Sequence, residues 1–173
     1  IQAQAALSPT LYPSLTPYPA NSGTGCPGTG TLASTCLTEN YTMYPLQVQF
    51  FQNAMTAPDQ LRQKVAFSLS QIMVVSGVKI QQPSSVSPYL NVLVNGALGN
   101  FRDLLQNVTL NPAMGHYLDM VNNDPISADG TRKPNENYAR EVLQLFTIGL
   151  YQLNSDGSLV LDGQGQPIPS YTQ

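Results

Sequence analysis

The sequence predicts a mainly α protein: an irregular helical bundle with long Pro/Gly-rich loops and a small C-terminal β-hairpin. Apolar residues recur at helical spacing in several segments of the central part of the chain. Turn-forming residues separate those segments at short intervals, and the chain contains 13 glycines and 14 prolines. Alternating apolar residues on both sides of a turn sequence occur near the C-terminus, a pattern typical of a hairpin.

The composition indicates an extracytoplasmic protein. Charged residues make up 10% of the 173 residues, whereas ordinary soluble domains contain roughly 25%. The seven basic residues are scattered and the net charge is −3, so we expect no nucleic-acid partner. No run approaches the ~18 apolar residues that cross a bilayer, so we expect no membrane span. No basic-then-apolar leader follows Ile1, so we expect that a signal peptide has been removed or that the chain starts inside a larger protein.

Residues 1–40 are predicted to form a Pro/Gly-rich arm without regular structure, which Tyr12 and Tyr18 anchor on a neighbouring surface. Cys26 and Cys36 flank a loop rich in Gly and Thr, and they predict a disulfide that stabilises the fold by about 3 kcal/mol. The alternative is two free thiols. A zinc site would need two further ligands, and the lone His116 is far away in sequence. A disulfide implies the periplasm or the cell exterior.

Residues 41–150 are predicted to form the helical domain. Its clearest helix begins at the capping-box spacing of Thr56 and Asp59, and Arg62 and Lys64 are expected on its solvent-facing half. Similar start signals predict helices over about 45–53, 87–98, 100–108 and 112–120. The core face of the clearest helix is predicted to contain Leu61, Val65, Leu69, Ile72 and Met73.

The stretch from Pro134 to Gly149 is predicted to be one helix, with Asn135 at its N-cap and Gly149 just past its end. Its apolar face is predicted to contain Tyr138, Val142, Leu145 and Phe146. The chain has seventeen charged side chains, and eight of them lie between Asp119 and Glu141. This concentration makes the stretch the first place to look for a site.

The last segment, residues 151–173, is predicted to be a β-hairpin and an extended tail. Tyr151–Leu153 and Ser158–Leu161 would form the two strands, with the turn at Asp156 and Gly157.

Several long motifs carry a resemblance to a known family. They are Asp59-Gln-Leu-Arg-Gln-Lys-Val-Ala-Phe-Ser-Leu-Ser-Gln-Ile72, Gly99-Asn-Phe-Arg-Asp-Leu-Leu105, Val108-Thr-Leu-Asn-Pro-Ala-Met-Gly115, Pro134-Asn-Glu-Asn-Tyr-Ala-Arg-Glu-Val-Leu-Gln-Leu-Phe-Thr-Ile-Gly149 and the Leu-Asp-Gly-Gln-Gly-Gln-Pro-Ile-Pro run near the C-terminus. In this order they resemble the secreted bacterial proteins catalogued as domain-of-unknown-function family 1800. The resemblance implies a mostly helical, exported protein, often encoded beside exported proteins that resemble sulfatases and alkaline phosphatases. Its members are much longer, so we expect this chain to be a central fragment.

The polar cluster admits a metal site. His116 and Asp119 are three residues apart on a predicted helix, and this spacing can present two ligands to one divalent metal. Asp124, Asp129 or Glu141 would complete the site. The alternative is an incidental surface histidine followed by an acid near a helix end.

The same cluster also admits a structural polar network formed by Asn135, Glu136, Asn137, Arg140 and Glu141. In this interpretation Arg140 is buried between Glu136 and a second acid, and the two asparagines bond the backbone of the preceding loop. Glu136 and Glu141 are five residues apart, about 140° around a helix, so they are not expected to act together as a general acid and base. The network is therefore the preferred interpretation of this stretch.

Two functions follow as hypotheses. The first is an extracytoplasmic, secreted or periplasmic, scaffold or binding domain without a cofactor. Its partner would be the remainder of its own chain or another exported protein, such as a sulfatase- or phosphatase-like neighbour. The second is a metal-assisted hydrolase or another enzyme centred on residues 116–141.

Overall fold

The computed structural model describes residues 2–17, 25–26 and 30–171, and it divides the chain into two compact units, Ile1–Tyr117 and Leu118–Gln173. Tyr18 lies outside the described residues. The elements in chain order are α1 (Gln2–Ala5), α2 (Thr31–Tyr41), α3 (Tyr44–Thr56), α4 (Gln60–Ile72), α5 (Pro83–Gly96), α6 (Phe101–Thr109), α7 (Pro112–Tyr117), α8 (Asn137–Glu141) and a π-helix (Val142–Phe146). The protein is mainly α, as predicted.

The core of the first unit lies where α5 contacts its neighbours. Helix α5 packs against α4, α6 and α7, and α3 packs against α4. The hydroxyl of Tyr89 donates a hydrogen bond to the backbone carbonyl of Met73, which satisfies the buried phenol. No helix in the described part of the chain is long and apolar enough to cross a membrane. The side chains that are almost wholly buried include Met73, Tyr89, Leu93, Val108 and Met114.

The start signals of α6 and α7 are confirmed. The side chain of Asn100 accepts a hydrogen bond from the backbone N–H of Arg102 at 2.9 Å, and Asn111 accepts one from Ala113 at 3.0 Å. Helix α6 lies very close to α5, since a Cβ atom at Gly96 would approach Leu104 Cδ1 to 2.6 Å. Gly96 therefore permits the close packing of these two helices.

Helix α2 lies in the arm that was predicted to be irregular, so that prediction is wrong. Only Ala33 is buried along the helix, and Leu32 is 75% exposed. Because α2 lacks an apolar stripe, its sequence contains no helical period to detect. The predicted disulfide between Cys26 and Cys36 is present, with a Cα–Cα distance of 5.7 Å, and it ties α2 to the preceding chain.

Helix α4 buries a different face from the one predicted. It begins at Gln60 rather than Thr56, which belongs to α3. Arg62, Gln63 and Ala66 are its buried residues, whereas Ile72 is 47% exposed. Leu61, Val65 and Leu69 are only partly buried, and Met73 is buried as predicted. The reason is that residues 4–13 bond to the Arg62 side of the helix.

In the second unit, the predicted single helix over 134–149 is instead a short α-helix followed by a π-helix. The wider π turn changes the side-chain spacing after Glu141, so the predicted apolar face is not continuous. Tyr138 and Phe146 are buried, but Leu145 is 63% exposed. Gly149, with a φ of 76°, ends the segment, and its N–H donates to the carbonyl of Leu143 at 2.9 Å.

The predicted β-hairpin is not confirmed. The described part of residues 151–173 contains only isolated antiparallel bridges, which pair Tyr151 with Pro169, Leu153 with Leu159, and Leu161 with Pro167. Three of its backbone hydrogen bonds form a closed ring: Gln152 donates to Ile168, Ile168 to Val160, and Val160 to Gln152, at 2.9–3.0 Å. The segments 151–153, 159–161 and 167–169 thus each pair with the other two at one point. Pro167 and Pro169 lack the N–H groups that a continuous β-ladder needs.

Candidate functional site

The N-terminal part of the arm is docked on α4 and α5. Gln4 fixes its beginning: its side chain donates to the carbonyl of Pro58 and accepts from the N–H of Leu61, both at 3.2 Å. Further along, five side chains hold residues 5–13 mainly by their backbone. These five residues, which we call the arm site, are Asp59, Arg62, Gln63, Ser87 and Asn91.

Arg62 is buried in the arm site, although the sequence predicted it on the solvent-facing half of its helix. Its side chain is 10% exposed and reaches the carbonyls of Ala5 and Leu7 at 3.3 and 3.4 Å, and that of Val94 at 3.4 Å. Its Nε lies 3.8 Å from Oδ2 of Asp59. A buried guanidinium needs such partners because an unpaired charge inside a protein is costly. Arg62 therefore joins the arm, α4 and α5.

Asp59 and Gln63 bind the middle of the arm. The N–H of Thr10 donates to Oδ2 of Asp59 at 2.9 Å, and Nε2 of Gln63 donates to the Thr10 carbonyl at 2.9 Å and to Asp59 at 3.1 Å. Burial acts to raise the pKa of the wholly buried Asp59, but the hydrogen bonds from Thr10 and Gln63 outweigh it and hold that pKa below its usual value. Asp59 therefore binds the arm as a carboxylate.

Asn91 and Ser87, both on α5, bind Tyr12 and Pro13 of the arm. Oδ1 of Asn91 accepts from the N–H of Tyr12 at 2.7 Å, and its Nδ2 donates to the Tyr12 carbonyl at 3.0 Å. The hydroxyl of Ser87 donates to the carbonyl of Pro13. Tyr12 is 8% exposed, and burial raises the pKa of its hydroxyl. Asn91 thus holds the arm through the backbone of Tyr12 rather than through its side chain.

An apolar groove of about 870 Å³ opens between α3, α4 and α5 in the first unit. Its aromatic rings form a cluster in which Phe50 lies 5.4 Å, centroid to centroid, from both Phe51 and Phe67. Phe51 is 61% exposed and Phe67 is 49% exposed. Tyr12 also lines the groove. Among the described lining residues, Lys64 is the one with a charged side chain, so the groove combines an apolar surface with a single cation.

The second unit brings the predicted polar network together around Arg140. Its Nη2 donates to Oδ1 of Asn137 at 2.9 Å, its Nη1 lies 3.5 Å from Glu136 Oε1, and its Nε lies 3.8 Å from Glu141 Oε1. The Arg140 side chain is 36% exposed and that of Glu136 is 74% exposed, so the network is not buried as expected. Partly exposed ion pairs of this kind contribute little, about 0.2–1 kcal/mol each.

Asn135 contacts the preceding loop in the opposite sense to the prediction. It is the side chain of Asn123 in the loop that accepts from the Asn135 N–H at 2.6 Å and donates to the Asn135 carbonyl at 2.7 Å. The side chain of Asn135 accepts from the N–H of Asn137 at 2.9 Å, but the N-cap of α8 is Glu136, so the predicted N-cap lies one residue too early. Asn123 therefore clamps the backbone before α8 in the same bidentate way that Asn91 clamps Tyr12.

The proposed metal ligands are in separate compact units. His116 is exposed in the last turn of α7, and Asp119 follows in the second unit with a φ of 59°. Among residues 2–17, 25–26 and 30–171, no three His, Cys, Asp or Glu side chains are grouped closely enough to hold a metal ion. Asp129 bonds locally to Ser127 and Thr131, and these hydrogen bonds lower its pKa to about 2.

Sequence reasoning missed the arm site, although one signal for it exists. Asn91 stands inside the apolar run of α5, between Leu90 and Val94, where asparagine is a poor helix former and usually has a hydrogen-bonding role. The other members gave no comparable signal. Asp59 matched a helix-start pattern, and Arg62 looked like an ordinary surface charge.

The fold and these contacts define a mainly helical protein that has a polypeptide-bonding face and an open apolar groove. A family model described as protein of unknown function (DUF1800) matches residues 4–173, and the chain therefore belongs to that family. No curated protein and no solved structure matches the chain.

Proposed function

We propose that this protein is an extracytoplasmic binding domain that holds its partner in the apolar groove. The observation that carries the proposal is the groove itself, about 870 Å³ in volume, in which the rings of Phe51 and Phe67 are 61% and 49% exposed. Water-exposed aromatic clusters of this kind mark interaction sites, because covering them removes a large apolar area from water.

The extracytoplasmic location is supported by two properties of the chain. The chain contains a disulfide between Cys26 and Cys36, and disulfides persist in oxidising compartments and are rare in cytosolic proteins. The charged fraction of 10% is also well below that of ordinary cytosolic domains.

The partner proposed is another exported protein, or the remainder of the protein's own chain. Chemically, it presents an apolar surface that fills the groove, with an acidic group beside Lys64. The resemblance to the family names one candidate, the sulfatase- or phosphatase-like exported proteins that are encoded beside its members.

Co-purification tests this proposal. The chain is co-expressed with its exported sulfatase-like neighbour as the wild type, as Phe67→Ser and as Leu110→Ser. Leu110 is 72% exposed and lies outside the groove, so it is the matched control. We expect the wild type and Leu110→Ser to retain the partner and Phe67→Ser to lose it. A wild-type chain that purifies without the partner, or a Phe67→Ser chain that retains it, contradicts the proposal.

A further inference from the structure

Two alternate residues of the arm, Thr10 and Tyr12, are each bonded through both backbone groups by the arm site. The N–H and the carbonyl of both Thr10 and Tyr12 are bonded by Asp59, Gln63 and Asn91. Successive residues of an extended chain point to opposite sides, so one edge of the segment faces the helices. Asp59 and the side chains of α4 and α5 thus occupy the position that a neighbouring β-strand has in a sheet.

Between residues 9 and 13 the burial of the side chains follows the same alternation, although Ser87 also bonds the carbonyl of Pro13. Pro9, Leu11 and Pro13 are exposed, whereas Thr10 is partly buried and Tyr12 is buried. Pro9 and Pro13 have no N–H to donate, and both stand at positions where the arm site bonds no N–H. The contacts therefore require an extended backbone with free N–H groups at two alternate residues.

Between residues 9 and 13 the contact is mostly with the backbone, apart from a hydrogen bond between the Thr10 side chain and Asp59. Between residues 9 and 13 the buried side chain is that of Tyr12, which also lines the apolar groove. Main-chain hydrogen bonds that supply the affinity, with one pocket that supplies selectivity, are how proteins commonly bind extended peptides.

We propose that the arm site is a binding site for an extended polypeptide, which the chain fills with its own residues 9–13 and which also accepts that segment in trans from a second copy. The ligand class is an extended segment with an aromatic residue at the position of Tyr12. At the positions on either side of this aromatic residue the arm site bonds no N–H, so proline is allowed there.

Peptide exchange into the cut chain tests the proposal. A protease site is inserted between Ser22 and Gly23, and cleavage leaves the whole chain present with the arm as a separate peptide. A fluorescent synthetic peptide of residues 2–17 is then added, and its binding is followed by anisotropy and native mass spectrometry. We expect one labelled peptide to replace one arm, while the helical circular dichroism stays unchanged.

Backbone N-methylation separates backbone bonding from other contacts. A methyl group on the Tyr12 nitrogen removes the N–H that Asn91 accepts, so we expect binding to weaken by about tenfold or more. A methyl group on the Leu11 nitrogen is the matched control, because Leu11 is 45% exposed and its N–H makes none of the arm-site bonds, and we expect less than a twofold change.

Three outcomes overturn the proposal. The first is a labelled peptide that does not enter the cut protein. The second is a Tyr12 N-methyl peptide that binds as well as the unmodified one. The third is loss of helical circular dichroism when the original arm leaves, which would make the arm a part of the core rather than a ligand.

Discussion

Replacing Asn91 by alanine tests how the arm is held. The substitution removes both hydrogen bonds to Tyr12, the acceptor at 2.7 Å and the donor at 3.0 Å. Because Tyr12 is 8% exposed, water does not readily replace these partners. Leaving a buried polar backbone group unsatisfied costs about 1–3 kcal/mol. For the N–H and the carbonyl together, we expect local opening of the arm to become easier by about 2–6 kcal/mol.

Hydrogen exchange measures this change directly. Each 1.4 kcal/mol is a factor of ten, so the exchange protection of the Tyr12 amide should fall by about 30-fold to 20,000-fold. Asn91→Asp should give a smaller loss, since a carboxylate still accepts from the Tyr12 N–H but cannot donate to its carbonyl. Asn107→Ala, an exposed position on α6, is the control and should leave the protection unchanged. Protection of Tyr12 within twofold of the wild type in Asn91→Ala would refute this account of the arm.

Three further predictions concern other parts of the molecule. Gly96→Ala places a Cβ atom 2.6 Å from Leu104 Cδ1, so urea denaturation should show that the free energy of unfolding falls by about 1–3 kcal/mol. In the control Gly99→Ala the new Cβ meets only a carbonyl at 3.5 Å, and the free energy of unfolding should fall by less than about 0.5 kcal/mol. The pKa of Asp59 is lowered in the folded protein, so ionised Asp59 contributes its full stability above the unfolded carboxyl pKa of about 3.9 and loses it as the pH falls through the lowered value. Exchange protection of the Thr10 amide should therefore fall in acid, and Asp59→Asn should remove this pH dependence. For residues 116–141, the structural network predicts that Arg140→Ala lowers the free energy of unfolding without changing the metal content. The hydrolase alternative instead predicts that elemental analysis finds a bound divalent metal. Metal-free protein, together with wild-type stability of Glu141→Ala, would eliminate the hydrolase alternative.

Short-range signals explain the parts of the fold that the sequence predicted. Asn100 and Asn111 each bond an N–H two residues away, so the start of α6 and of α7 depends on neighbours within one turn. Gly149 ends its segment with a positive φ, which is again a local requirement. The disulfide also joins two cysteines that are only ten positions apart in the sequence.

The arm site was not predictable because its partners are far apart in the sequence. Tyr12 and Asn91 are separated by 79 residues, and Thr10 and Asp59 by 49. No periodicity connects them, and an arm that is bound through its backbone places little constraint on its own side chains. The same long-range contact covers the polar face of α4, which explains why the predicted burial of that helix was wrong.

The π-helix and the ring of backbone bonds were missed for a different reason. Helical and strand periods assume 3.6 and 2 residues per repeat, and neither describes residues 142–146 or the three crossing segments around Gln152, Val160 and Ile168. Pro167 and Pro169 cannot donate hydrogen bonds to a β-ladder, so the sequence did contain a signal against a regular hairpin.

The claim that the apolar groove is a binding surface is tested most directly by locating a probe in it. Anilinonaphthalene sulfonate combines aromatic rings with one negative charge, and it therefore matches the phenylalanine cluster and Lys64. In an NMR titration we expect saturable binding of one probe per chain, with amide shifts concentrated in α3, α4 and α5, and about tenfold weaker binding in Phe67→Ser. Non-saturable binding, or amide shifts spread evenly along the chain, would contradict the claim that the groove is a binding surface.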